Sequence, residues 1–260
     1  MKLKYISGLP LEEENNCLMS DAIEIPEVDI RTIEQAQDVL MEKVSQPKEL
    51  YYIYRGLSRH ADLEIFKEHN VRYDITVIPA QKIGKEFNKT IGHYHPNVPG
   101  SDVSYTEIYE VLHGKVHWLL QKVDFEKEPQ EVLDVLLIEA HHGDKVVIPP
   151  GFGHISINPG EETLVMANIQ ASNFEAIYQP VAMAGGGVFF ETEKGFLKNK
   201  KYKNKFKPVL IKAKKYEGFG FAYHKPMYDS CILHPEAFEF LTRPQKYLKE
   251  FEEYIELLKK

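Results

Sequence analysis

Between residues 49 and 170 the chain breaks into eight short β-rich runs: LYYIYRG, YDITVIP, EIYEVLHG, VHWLLQKV, VLLIEA, DKVVIPPG, HISINPG and TLVMANIQ. Each is strand-sized, rich in β-branched and aromatic residues, and most are separated by Gly, Pro, Asn or Asp. Many short strands punctuated by turn residues predict an all-β barrel or sandwich and leave no room for a helical bundle. A chain of 260 residues carries one such barrel with additions at either end.

The additions have a different texture. In residues 27–45, Ile30, Ile33, Ala36, Val39, Leu40 and Val44 recur at roughly helical spacing, and Pro47 closes the pattern. Gly185–Gly187 reads as a boundary before a lysine-dense stretch, which is expected to be a solvated face. From Pro244 onward the pattern predicts a C-terminal helix with Phe251, Tyr254, Ile255 and Leu258 on one side. The expected organisation is an N-terminal extension with a helix (1–48), the barrel (49–184), and a C-terminal extension with the lysine stretch and terminal helix (185–260).

Bulk properties bound the partners. A net charge of −7 argues against nucleic acid as the ligand. No window reaches the roughly 18 uninterrupted apolar residues of a membrane helix, and MKLKYISGLPLEEENN lacks the apolar core of a signal peptide. Cys17 and Cys231 stand far apart, as suits a reducing compartment. The expectation is a cytoplasmic protein with neither nucleic-acid nor membrane partners.

Chemistry concentrates in residues 90–114, TIGHYHPNVPGSDVSYTEIYEVLHG. Alternation along a strand sends His93 and His95 to one face and Tyr94 to the other. Glu107 follows after 11 residues rich in Pro, Gly, Ser and Asp, a loop that returns the chain to a neighbouring strand. Period two groups Glu107 with Tyr109 and Val111, and Glu110 with the opposite face, so Glu107 is the inward carboxylate. A second run, Gly143 to Asn158, has the form G-x5-P-x-G-x2-H-x3-N. It places His154 at the start of a strand, on the polar face away from Ile155 and Ile157. Three imidazoles and one carboxylate suit a single first-row divalent ion such as Fe, Mn, Ni or Zn, and leave coordination positions open for chemistry.

Glu107-x6-Gly114 and the Gly143–Asn158 run resemble the two motifs of the cupin superfamily, whose fold is a jelly-roll β-barrel. A longer string, G-K-E-x3-T-x-G-H-x-H from Gly84 to His95, is more specific. It resembles the cupin-type glucose-6-phosphate isomerases of archaea and some bacteria, over roughly residues 49–180.

That resemblance implies interconversion of glucose 6-phosphate and fructose 6-phosphate, in glycolysis or gluconeogenesis, by a homodimer carrying one divalent ion per chain. It implies His93, His95, Glu107 and His154 as ligands, and Thr76, Thr90 and the Gly92 backbone as phosphate donors. Tyr109 matches the family's tyrosine after the ligating glutamate. An upstream tyrosine matches Tyr51 or Tyr52, with Tyr52 taken as the binding residue. The family's late-barrel tyrosine and histidine have only approximate candidates here, Glu175 and Tyr178. Isomerisation moves a proton or a hydride between C1 and C2, and Glu107 and Tyr109 are the expected catalytic groups. Competing readings are an isomerase or epimerase of another sugar, a non-catalytic sugar sensor, and a dioxygenase. The threonine set argues against the last.

Overall fold

A computed structural model describes residues 1–260. It contains the two-sheet jelly-roll barrel that the resemblance implied. The strands used below are β1 (Asp29–Thr32), β2 (Glu49–Tyr54), β3 (Val71–Ile78), β4 (Glu86–Lys89), β5 (Glu107–His113), β6 (Lys115–Asp124), β7 (Glu131–His141), β8 (Lys145–Ile148), β9 (Gly153–Asn158), β10 (Leu164–Ala171), β11 (Phe189–Thr192), β12 (Gly195–Lys198) and β13 (Leu210–Lys212).

One sheet runs β12-β11-β4-β9-β6-β7-β13, and the other β8-β5-β10-β3-β2-β1. Neighbours are antiparallel except β7 and β13. All eight runs expected from the sequence contain a strand of one sheet or the other. Side chains from the two facing sheets fill the interior, where Trp118 is fully buried, packs on Tyr109 and donates to Ser156 Oγ at 2.9 Å.

The flanks differ from the expectation in three places. The N-terminal helix shrinks to Ile33–Ala36 followed by a 3-10 turn, Gln37–Val39. Residues Asp29–Thr32 are instead a strand that covers the open edge of β2, where a short helix without tertiary packing would be marginal. The short helix begins at a capping box between Thr32 and Gln35.

Secondly, the sheets run across the expected boundaries at 48 and 184. β1 joins one sheet from before the first, and β11 and β12 join the other from beyond the triple glycine. Gly186 is glycine for a local reason: its φ is +114°, and a Cβ there would lie 2.6 Å from the Val39 carbonyl oxygen. Thirdly, only Leu248–Lys259 is α-helical at the C-terminus, after a 3-10 turn at Pro244–Lys246. Its buried residues Phe251, Tyr254 and Leu258 are three of the four expected, and Ile255 is half-buried.

This C-terminal region covers the outer face of the six-stranded sheet. Glu110 and Lys145, both on that face, form a buried ion pair at 2.6 Å. Glu110 also accepts from the Met227 backbone N–H at 2.8 Å, and Lys145 donates to the Tyr223 carbonyl at 3.1 Å. Thr106 Oγ1 donates to the Phe240 carbonyl at 2.9 Å. With one face covered in this way, Glu107 and Tyr109 are left to the interior.

Candidate metal centre

His93 and His154 meet as an isolated antiparallel bridge beside β9, and β5 delivers Glu107 from the opposite sheet. The ligand atoms of His93, His95, Glu107 and His154 all lie within 4.8 Å of one another. Gly92 permits this approach: its φ is +84°, and a Cβ would stand 2.4 Å from Ile155 Cγ1. Substitution there would force the histidine strand away from β9.

The donor set fits a cation. His95 Nδ1 lies 3.1 Å from the Tyr105 carbonyl, which can only accept, so the proton sits on Nδ1 and the lone pair on Nε2. That Nε2 is 3.4 Å from Glu107 Oε2, and His154 Nε2 is 3.2 Å from the same oxygen. Neither approach has hydrogen-bond alignment, and His95 Nε2 and Glu107 Oε2 are buried with no hydrogen-bond partner. Lone pairs crowding a buried carboxylate are unfavourable unless a positive ion sits between them.

The protonation states agree. Burial, aided by the neighbouring imidazoles, holds His93 well below its usual range, and burial lowers His154 despite Glu107 beside it. Both are therefore neutral ligands at neutral pH. Burial works to raise the Glu107 carboxyl; what outweighs it and holds it below the usual carboxylate range is a donated proton or positive charge from His154 and His95 at Oε2, the place a bound cation would take. Together the four residues could hold one ion.

The centre opens onto a cavity of about 450 Å³ whose lining includes His93, Glu107, Tyr109, His154, Thr76 and Thr90. Thr90 Oγ1 accepts from the Ser156 backbone N–H at 3.0 Å and keeps its own proton to donate. Tyr109 Oη lies 3.2 Å from His154 Nε2. Burial and then Glu107 push the Tyr109 phenol well above its usual range, so it remains a proton donor.

Tyr52 is a correction. It faces away from the cavity and donates to Glu49 Oε2 at 2.7 Å, whereas Tyr51 lines the cavity and is buried. Period two makes the two tyrosines mutually exclusive, and the interior face of β2 carries Tyr51 and Ile53. Glu175 and Tyr178 do reach the cavity, although they were only approximate candidates. The backbone pairing of Ile177 with Tyr94 brings their segment over the histidine strand. Gly92 supports the cavity wall without lining it.

Sequence reasoning missed Arg55, Arg72, Asp74, Asn168 and Gln170, all of which line the cavity. The available signal was polar residues at alternate positions, Arg72, Asp74 and Thr76, in a strand whose other residues are apolar or aromatic.

Comparison with known proteins decides the family. The Glucose-6-phosphate isomerase (GPI) family model matches residues 28–207. The chain belongs to the glucose-6-phosphate isomerase family. Glucose-6-phosphate isomerase from Thermococcus litoralis is 33% identical over 132 residues, which are 51% of this chain and 57% of that protein. The proteins of the same name from Thermococcus gammatolerans and Pyrococcus furiosus are 35% and 29% identical, covering 51% of this chain and 58% and 63% of theirs. The chain thus spans about six-tenths of the length of these curated relatives. Among solved structures, oxalate decarboxylase from Bacillus subtilis is a distant likeness, 16% identical with a TM-score of 0.33, over 52% of this chain and 29% of that one. The family match begins at the strand β1 and ends before β13, so the cover formed by the last fifty or so residues lies outside it.

Proposed function

We propose that this chain is a metal-dependent aldose–ketose isomerase that interconverts glucose 6-phosphate and fructose 6-phosphate. The observation that carries the reading is the four-ligand cluster, with its orphaned His95 Nε2 and Glu107 Oε2, opening onto a polar cavity of sugar size. A divalent ion held by His93, His95, Glu107 and His154 would acidify the C–H between two sugar oxygens and polarise the carbonyl.

The remaining work falls to side chains. Thr76 and Thr90 line the cavity and offer hydroxyl donors to the phosphate, Thr76 two rungs along the sheet from Glu107. Gly92 acts through the close approach it allows. Tyr51 takes the place in the binding set that Tyr52 was expected to fill. Tyr109 stays protonated and can donate to a sugar oxygen beside His154. Glu107 is the adjacent carboxylate; bound to a cation it would be a weak base, so it accepts the C2 proton only with a loosened ligand bond. A hydride shift needs no such base.

The proposed metal is one Fe, Mn, Ni or Zn per chain, and the proposed state is a homodimer. The exposed edge strand β12 offers a second copy backbone to pair with.

The test is elemental analysis combined with a coupled isomerase assay in both directions. Stoichiometric metal together with metal-dependent turnover of both sugar phosphates supports the reading. Turnover surviving complete chelation, or activity on unphosphorylated sugars alone, overturns it.

A further inference from the structure

The register of the six-stranded sheet sorts the cavity lining into rungs. Glu107 pairs with Gln170, and Gln170 with Arg72. On the next rung Tyr109 pairs with Asn168, and Asn168 with Asp74. Met166 and Thr76 pair on the third. All these side chains except Val111, the third-rung partner on β5, line the cavity. Arg72 therefore shares a rung with a candidate metal ligand, only one strand intervening, about 10 Å between backbones at 4.8 Å per strand. Thr76 lies four residues further along β3, roughly 13 Å away at 3.3 Å per residue. The cavity has a neutral hydroxyl end and a guanidinium end, and Glu107 belongs to the second.

Arg72 is the close counter-ion of a buried carboxylate, and only part of its guanidinium is used in that pairing. Its Nε donates to both carboxylate oxygens of Asp74, at 2.8 and 3.0 Å. Asp74 is buried and also accepts from the Gly56 backbone N–H at 2.8 Å. Arg55 stands 3.9 Å from the same carboxylate and donates to Asp29 at 2.9 Å. The terminal nitrogens of Arg72 have no protein partner, while its side chain lines the cavity. A buried carboxylate grips one edge of the guanidinium and leaves the other edge to a ligand. The other carboxylate lining the cavity besides Glu107 and Asp74 is Glu175, which is exposed and forms no ion pair with either arginine.

The isomerisation defines what that edge could meet. When the C2 proton leaves, its electron pair forms the C1–C2 double bond, and the carbonyl pair moves onto O1. The negative charge is lost again when the O2 proton passes to O1, the O2 electron pair re-forms a carbonyl at C2, and the C1–C2 pair takes a proton at C1. With the phosphate at the threonine end, C1 and C2 lie toward the Glu107 rung. We propose that Arg72, fixed by Asp74, is a catalytic residue that stabilises the negative charge developing on the sugar oxygens at C1 and C2. This rests on the isomerase reading above.

The experiment uses R72Q and R72K, the second keeping a cation for Asp74. Three quantities separate the roles: kcat and KM for fructose 6-phosphate, calorimetric affinity for arabinonic acid 5-phosphate, and calorimetric affinity for inorganic phosphate. The sugar acid carries its carboxylate where the charge develops. R72Q should lower kcat by about 100–1,000-fold, as loss of one oxyanion donor does, with KM within a few-fold. Sugar-acid affinity should fall at least tenfold, while phosphate affinity and metal content stay unchanged. R72K should recover part of kcat. An unchanged kcat in R72Q overturns the proposal, as does a raised KM with weaker phosphate binding and unaltered kcat, which would make Arg72 a phosphate ligand. If the wild-type chain does not isomerise sugar phosphates, the isomerase reading fails separately. The sugar-acid calorimetry then decides Arg72 on its own: equal affinity in wild type and R72Q overturns the anion subsite.

Discussion

Tyr109 Oη and Glu107 Oε2 approach the same nitrogen, His154 Nε2, each at 3.2 Å. One imidazole nitrogen cannot satisfy a phenol donor and a carboxylate acceptor together, so a cation beside Glu107 would leave the phenol proton free for a sugar oxygen. Tyr109→Phe removes only that donor. It should leave metal content unchanged and lower kcat by tenfold or more, about 1.4 kcal/mol of barrier per decade. A variant with wild-type kcat would remove Tyr109 from the mechanism.

Metal retention separates the ligands from other histidines. His93→Ala, His95→Ala and His154→Ala should each lose most of the bound ion. His141→Ala should keep it, because His141 is exposed and faces Glu139 at 3.4 Å on the outside of the barrel. Chelation should also lower the melting temperature of the wild-type chain, since an ion at 100 times its Kd contributes about 2.7 kcal/mol. Unchanged melting after verified metal removal would count against a tightly coupled site.

The polar end of the cavity is tested by paired substitutions. Thr90→Val keeps the shape and deletes a donor to the cavity together with the acceptor of the Ser156 N–H. It should raise KM for fructose 6-phosphate about tenfold or more, given roughly 1.5–3 kcal/mol for a charge-assisted hydrogen bond. Tyr51→Phe should also weaken substrate binding, whereas Tyr52→Phe should be kinetically silent because its hydroxyl serves Glu49. The reverse order for the two tyrosines would place β2 the other way round.

The Glu110–Lys145 pair gives a stability prediction remote from the cavity. Lys145→Met leaves Glu110 buried and without its cation, a change that destabilises by roughly 3–5 kcal/mol. The Met227 and Tyr223 backbone contacts depend on the same pair. Proteolysis should then begin within residues 213–260, and urea unfolding should move to lower concentration. Wild-type stability in this variant would show that the aromatic packing alone holds the cover.

Thiol chemistry should be sharply unequal. Cys17 is exposed, while Cys231 is fully buried and burial pushes its thiol up to about 12. One alkylation should occur quickly in the native chain and the second only on unfolding. Two fast thiols under native conditions would show that the segment around Cys231 opens readily.

The sequence by itself determined whatever depends on local geometry. Alternation along TEIYEV separated Glu107 from Glu110, and the structure puts one in the cavity and the other under the C-terminal cover. The His93–His95 spacing and the Pro149–Gly151 turn before His154 were legible for the same reason: side-chain direction in a strand is fixed within two or three residues. Tertiary structure alone decided the choice between Tyr51 and Tyr52, because both faces of LYYIY are apolar and no local rule says which one another layer will cover. It also decided that the strands cross the triple glycine, and that a short edge strand replaces most of the N-terminal helix. The arginines were invisible in a further sense. In VRYDITVI, Arg72 and Asp74 have the pattern of a solvated edge. Only the pairing of β3 with β10, and of β10 with β5, carries them onto the rungs of Tyr109 and Glu107. Register between strands far apart in sequence is set by which apolar faces can be buried together, and that sum is taken over the whole barrel.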